Sequence, residues 1–223
     1  DGGNITLNMM NNLSVNSSKI SASTIDGIGC DLIINATESI NLTGKGGLLV
    51  QASNGGEAGY IEANTNQFDV LDKSEINVSS KLGQAGYLEI TANNLFLSQA
   101  KLTAETGIGE GLESGNITLN IQDLLTAENN SLISAEAFDN ANGGNITINN
   151  SQGFVIGLPF ENSEIIANAN KGNGGNIDIA SQYIIGLEFR EKITSQSDIT
   201  ASSKFGVSGQ VTFNQLNVDP SFT

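Results

Sequence analysis

The sequence has no histidine and no tryptophan, one cysteine and two prolines. Without histidine, the usual zinc sites and the Ser-His and Cys-His catalytic pairs lack an essential member. Cys30 cannot form an internal disulfide alone, and it reads as a small, partly buried thiol rather than a reactive one. Cations are scarce as well: nine Lys and Arg stand against 24 Asp and Glu, a formal charge of −15. That field repels phosphate backbones and anionic membranes, which excludes nucleic acid as a partner, and it attracts divalent cations only weakly. No apolar run approaches the ~20 residues needed to span a bilayer, and Asp1-Gly2-Gly3-Asn4 does not read as a signal peptide. Aromatic residues make up only 5% of the chain, so Ile, Leu, Val and Ala must build the interior.

Repetition is what the sequence has in abundance. A unit of the form Gly-x-[Ile/Leu/Val]-x-[Ile/Leu/Ala/Phe] occurs eight times, beginning at Gly3, Cys30, Gly59, Gly86, Gly115, Gly144, Gly175 and Gly209. The intervals are 27, 29, 27, 29, 29, 31 and 34 residues, regular enough to mark a repeat array. A second alternating pair follows in most intervals: Leu13/Val15, Ile40/Leu42, Phe68/Val70, Leu95/Leu97 and Phe154/Ile156. A third, usually after a serine, reads Ile20/Ala22, Leu48/Val50, Ile76/Val78, Leu102/Ala104, Ile133/Ala135, Ile165/Ala167 and Ile199/Ala201.

Three short period-two strands per ~29 residues, parted by Gly, Asn and Ser turns, predict an all-β fold, a right-handed parallel β-helix with three sides. One coil has only about six inward side chains and nothing to bury them against, so coils have to stack. About seven to eight coils at ~4.8 Å each give a rod about 35 Å long. Ile5, Leu32, Ile61, Leu88, Ile117, Ile146 and Ile177 are expected to form one interior column. Glycine at the head of each unit is expected where a corner needs positive φ or lets the next coil approach closely. Propeller blades are longer than this repeat, and sandwich strands do not repeat in sequence. A single domain spans 1–223, with side loops at 157–163 and 186–196 and a tail at 214–223.

The rungs Gly144-Asn145-Ile146-Thr147-Ile148 and Gly174-Gly175-Asn176-Ile177-Asp178-Ile179 resemble those of filamentous-haemagglutinin-like exoproteins of two-partner secretion systems. The tail is similar to the distal β-helix of the cyanobacterial branch of that family. The similarity lies in Ser197-Asp198-Ile199-Thr200-Ala201-Ser202-Ser203, Phe205-Gly206-Val207-Ser208-Gly209-Gln210-Val211-Thr212-Phe213 and Val218-Asp219-Pro220-Ser221. The resemblance implies a large secreted or cell-surface protein, exported across the outer membrane through a transporter partner and folding as it emerges. The family's amino-terminal secretion domain, with its Asn-Pro-Asn motifs, is absent from this chain, so Asp1 is expected to begin mid-rod. On this reading the segment is a structural or adhesive rod without catalysis or cofactor. Its partner on this reading would be a surface glycan or protein receptor; a separate reading is a purely mechanical module that meets copies of itself end to end through the unpaired backbone of an exposed first rung.

A polysaccharide-binding or polysaccharide-cleaving β-helix protein is the alternative, since such enzymes use clustered acids, or Arg with calcium. The one arginine, Arg190, lies in Glu188-Phe189-Arg190-Glu191-Lys192, which reads as a solvated loop. Glu62, Glu89 and Asp178 take equivalent outward positions, but Thr118 and Thr147 separate the last from the others. The stretch Glu105 to Glu113 lacks the spacing of a phosphate loop, and its three glutamates repel phosphate. Asp139, Asn140 and Asn142 offer oxygens for a weak calcium site; no other metal site is expected. Tyr60 and Tyr87 should stack, with Glu62 above Glu89, as a strip that either holds a sugar ring or only reinforces the coil contact. The loops carrying Leu158 and Phe160, and Leu187 and Phe189, should lie together as a satellite cluster or a partner-docking ledge, and exposure of the phenylalanines would favour docking. Asn-x-Ser/Thr triplets such as Asn4-Ile5-Thr6 follow from Asn, inward Ile and outward Thr, and carry no glycosylation reading.

Overall fold

The computed structural model describes residues 3–107 and 115–215. Residues 108–113 of the Glu105–Glu113 stretch, and 216–223 of the tail with Val218-Asp219-Pro220-Ser221, lie outside the described residues. The described residues form nineteen strands and no helix. The chain is an all-β solenoid of parallel strands.

The first face stacks β1 (Ile5–Met9), β4 (Leu32–Ala36), β7 (Tyr60–Asn64), β10 (Tyr87–Ser98), β12 (Ile117–Glu128), β14 (Ile146–Gly157), β16 (Ile177–Ile185) and β19 (Val211–Gln215). The second face begins with β2 (Asn12–Asn16), β5 (Ser39–Thr43) and β8 (Gln67–Leu71) and continues in the far halves of β10, β12, β14 and β16. The third face stacks β3 (Lys19–Ser21), β6 (Gly47–Leu49), β9 (Glu75–Asn77), β11 (Lys101–Thr103), β13 (Leu132–Ser134), β15 (Glu164–Ile166) and β18 (Asp198–Thr200). Beyond β18 lies β17 (Glu188–Phe189), which comes earlier in the chain and takes the outer edge of that sheet. The winding amounts to about six turns rather than seven to eight. The seventh circuit is interrupted by the excursion that carries β17, and the eighth has only its first strand among the described residues.

The interior column forms as expected. Ile5 pairs with Leu32, Leu32 with Ile61, Ile61 with Leu88, and the pairing continues through Ile117, Ile146 and Ile177 to Val211. From Leu32 to Ile177 every member is fully buried. The third-face column, Ile20 through Ile199, is equally continuous.

The second face departs from the sequence reading. Leu88 pairs with Ile117, whereas after a register shift Asn94 pairs with Leu124, so the corner of β12 has one extra residue. The inward residues are therefore Leu125 and Ala127, then Val155 and Gly157. Phe154 and Ile156, expected to point inward, face outward. The run Phe154-Val155-Ile156 is apolar throughout, so alternation could not fix its phase, and a slip of one residue reverses every side chain. Leu187 folds back over the bare Cα of Gly157, its Cγ 2.7 Å from where a Cβ would stand.

Two polar ladders explain residues that apolar pattern alone leaves unexplained. Asn116 Oδ1 accepts from the backbone N–H of Asn145 at 2.9 Å, Asn145 Oδ1 from Asn176 at 3.1 Å, and Asn176 Oδ1 from Gln210 at 3.1 Å. At the entry to the third face, the N–H of Ala100 donates to Ser131 Oγ, that of Ser131 to Ser163 Oγ, and that of Ser163 to Ser197 Oγ, at 3.0 to 3.2 Å. Each side chain thus satisfies a backbone donor that the corner takes out of the sheet ladder.

Of the two reasons expected for the unit-head glycines, close approach holds. A Cβ on Gly115 would overlap the carbonyl oxygen of Gly86, and one on Gly175 that of Gly144. Positive φ among the described glycines occurs elsewhere, at Gly27, Gly44 and Gly186. Cys30, which takes one such corner, is buried and unpaired. Gly115→Ala is expected to cost about 3 kcal/mol, because backbone rather than a movable side chain blocks the new methyl. Gly3→Ala, whose Cβ meets nothing within 4 Å, should leave the urea midpoint unchanged. Equal midpoints for the two variants would contradict the packing described.

Candidate functional site

Alternation fixes the outward surface of the first face. With Ile61 and Leu88 inside, Tyr60, Glu62, Tyr87 and Glu89 point out, and register pairs Tyr60 with Tyr87 and Glu62 with Glu89. The rings stack with centroids 5.4 Å apart and planes 24° apart. The Tyr60 hydroxyl donates to Glu89 Oε2 at 3.0 Å, and Glu62 Oε2 lies 3.3 Å away. Burial and then these carboxylates raise the Tyr60 phenol above its ordinary pKa. Tyr87 Oη is 2.8 Å from Thr118 Oγ1, while Glu62 and Glu89 also accept from Asn64 and Asn120. The strip is assembled as expected, and its polar atoms are engaged with one another. A sugar ring stacking there would have to compete with those internal bonds.

The two side loops leave the second face side by side, since Ile156 pairs with Ile185. Their apolar residues then part company. Leu187 is buried in the core, whereas Leu158, Phe160 and Phe189 are 44%, 85% and 52% exposed. Exposure of both phenylalanines favours the docking ledge over local packing.

A second aromatic stack was not foreseen. Because of the corner shift, Phe154 and Tyr183 pair on the outside of the second face, with ring centroids 5.7 Å apart and planes 13° apart. Ile156 and Ile185 continue the strip toward the loops. Its signal in the sequence was the apolar excess of Phe154-Val155-Ile156 and Tyr183-Ile184-Ile185, more than one face can bury.

Two of the three calcium candidates are engaged within the chain. Asp139 is ion-paired to Lys171 at 2.6 Å, and Asn142 Oδ1 accepts from the backbone of Asn173 at 2.8 Å. Asn140 lies exposed beside them. Among the described residues, no group of three or more Asp, Glu or Cys is placed to hold a metal ion.

The outward side of the third face is recessed. Corner loops close on themselves, with the N–H of Gly144 on Ala135 O, of Gly175 on Ala167 O and of Gly209 on Ala201 O at 2.8 to 2.9 Å. These loops stack into a ridge, and between it and the 186–197 excursion runs a groove of about 870 Å³ that reaches Glu136, Phe138, Phe189 and Lys192. Glu105 and Glu136 stack on neighbouring coils beside this ridge, flanked by the pairings Thr103 with Ser134 and Thr106 with Ala137. Burial pushes Glu136 up to about 7, with the Glu105 carboxylate adding to it. Glu105 is raised by burial against the opposing pull of Ser134 and Lys101.

Arg190 corrects its sequence reading. Its side chain is 22% exposed, and it ties the 186–197 loop to the fully buried carboxylate of Asp198. Eight residues separate the two in the chain, so no local charge pattern reveals the pair. Asp198 also accepts from the hydroxyl of Thr194 at 3.2 Å. Next to Asp198 stands Glu164, 7% exposed and without a side-chain hydrogen-bond partner. Burial, and then the negative charge of Asp198, push Glu164 up to about 8 against the opposing pull of Arg190 and of the Asp198 backbone.

Between the ordinary pKa of 4.5 and about 8, the folded chain keeps on Glu164 a proton that the unfolded chain releases. Stability therefore falls as pH rises through that window. Thermal melts should show a lower midpoint at pH 8 than at pH 5, and Glu164→Gln should flatten that decline by raising the midpoint at pH 8 alone. An unchanged pH profile in the variant would contradict a protonated Glu164.

No protein-family model, curated protein or solved structure matches the chain, so its functional reading is built on these residues and their geometry.

Proposed function

We propose that the chain is a structural and adhesive rod segment, not an enzyme, of a filamentous-haemagglutinin-like exoprotein from a two-partner secretion system. The full-length protein would pass an outer-membrane transporter and act at the cell surface or after release. Support comes from the rung and tail motifs quoted above together with the stacked solenoid. The single observation that carries the adhesive reading is the register itself. Because equivalent residues return on every coil, outward side chains are displayed as ladders along a rigid rod. The stacked Phe154 and Tyr183, with exposed Phe160 and Phe189 nearby in the chain, form an apolar display of this kind.

One observation favours a second reading, a polysaccharide-cleaving β-helix. Glu105 and Glu136 are adjacent carboxyls of raised pKa, with Glu136 lining the third-face groove, the kind of pairing from which a general acid and its partner are built. Release of reducing ends from a polysaccharide, abolished in Glu136→Gln, would establish it over the rod.

Beads coated with the chain should adhere to cell or glycan surfaces. The combined variant Tyr183→Ser, Phe160→Asp and Phe189→Ser should lose most of that adhesion with its melting midpoint within about 2 °C of the parent, since exposed positions contribute little to stability. Undiminished adhesion would move the contact surface elsewhere on the rod.

A further inference from the structure

The few cations of this chain are not scattered. Lys19, Lys45, Lys73 and Lys101 are four of nine, and all four line one open groove of about 630 Å³ where the second face turns into the third. Their spacings of 26, 28 and 28 residues advance one coil per step, so the four lysines stand on four successive coils, about one strand spacing apart along the rod at the backbone. All four are exposed. Lys19 and Lys101 open the third-face strands β3 and β11, while Lys45 and Lys73 sit at the preceding corner of the two coils between.

One carboxylate, Glu75, lines the groove, and Lys19 already holds it at 2.7 Å. None of the ion pairs among the described residues involves Lys45, Lys73 or Lys101. Lysines recurring on successive coils give this strip a charge that an anionic polymer laid along it would match. Lys45 and Lys73 also have φ of 67° and 64°, the left-handed region that glycine enters freely and lysine does not. Long cations are therefore placed at two corners where local preference favours glycine. Gln99, Asn129 and Asn130, with φ of 54°, 56° and 62°, carry the same corner through the next coils and extend the groove with amides.

We propose that this ladder binds an acidic polysaccharide whose sugar rings bear carboxylates, laid along the rod axis. One amine per coil matches a thin polymer with an anion on each ring, because a pyranose unit is about as long as one strand spacing. The amides suit ring hydroxyls, and the lysine stems offer methylene surface to the ring faces. The acidic remainder of the rod confines a polyanion to this strip and opposes wide, highly charged nucleic acid. The proposal rests on the reading of the rod as a display surface and gives that surface a ligand class.

The test measures binding of the whole chain to polygalacturonate, dextran and oligothymidylate at low and moderate salt. Polygalacturonate should bind more tightly than either comparison polymer, and the binding should weaken as salt rises. Lys45→Gln with Lys73→Gln and Lys101→Gln should weaken it about tenfold without moving the melting curve. Lys81→Gln with Lys192→Gln and Lys204→Gln makes the same change in net charge and should weaken it less than about twofold. Equal losses in the two triple variants, no preference over dextran, or tighter binding of oligothymidylate would each overturn the ladder. If the ladder fails while the aromatic variant of the preceding section still loses adhesion, this proposal falls alone; if neither variant has an effect, the display reading falls with it.

Discussion

Coils that pair backbone to backbone must return to the same height and the same phase on every turn. In a parallel stack each N–H and C=O reaches the coil above or below, and neighbouring chains are held about 4.8 Å apart. At the first corner of the later coils that spacing leaves no room for a side chain at Gly86, Gly115, Gly175 and Gly209, whereas an earlier coil accommodates Cys30 there. Once the corner is fixed, the residue two places on points inward, and Leu32, Ile61, Leu88, Ile117, Ile146 and Ile177 become one buried column. Core, corner and outward ladder are three consequences of one repeat distance.

The same constraint governs the polar groups. Where the chain turns, backbone donors leave the sheet ladder, and the Asn116 and Ser131 ladders bring side chains to meet them. Where the winding departs from its repeat, the chain covers its own edge. After β16 the excursion places β17 beyond β18, where a further strand of the third face would otherwise pair. Arg190 anchors that excursion on the buried Asp198, with Glu164 beside them pushed up to about 8. An edge strand covered in this way does not offer its hydrogen-bonding groups to other chains.

The first and third faces were legible in the sequence because Gly-x-Ile-x-Ile and Ser-x-Ile-x-Ala leave the phase of alternation in no doubt. The second face was legible only while apolar and polar residues alternated, as in Phe68-Asp69-Val70. Phe154-Val155-Ile156 has no polar residue to set the phase, and one extra corner residue in β12 decided it. Of the expected site residues, Tyr60, Tyr87, Glu62 and Glu89 follow directly from coil spacing and do stand together. Leu187 could not be told from Phe189 by pattern, since only the gap over Gly157 draws one of them inward. The lysine ladder was written at a coil's spacing too, but it lies in corners, where no apolar pattern directs attention.

Register is tested most directly by covalent distance. In a chain with Cys30→Ala, Asn120→Cys and Asn149→Cys occupy paired positions on adjoining coils, where the native side chains are hydrogen-bonded at 2.8 Å. Paired Cα atoms at about one strand spacing lie within the range a disulfide bridges, whereas a partner displaced by two residues lies beyond it. Mild oxidation should therefore close the Asn120→Cys, Asn149→Cys bridge rapidly and leave Asn120→Cys, Thr147→Cys open. Equal closure of both pairs, or closure of the displaced pair alone, would contradict a stack held in single-residue register.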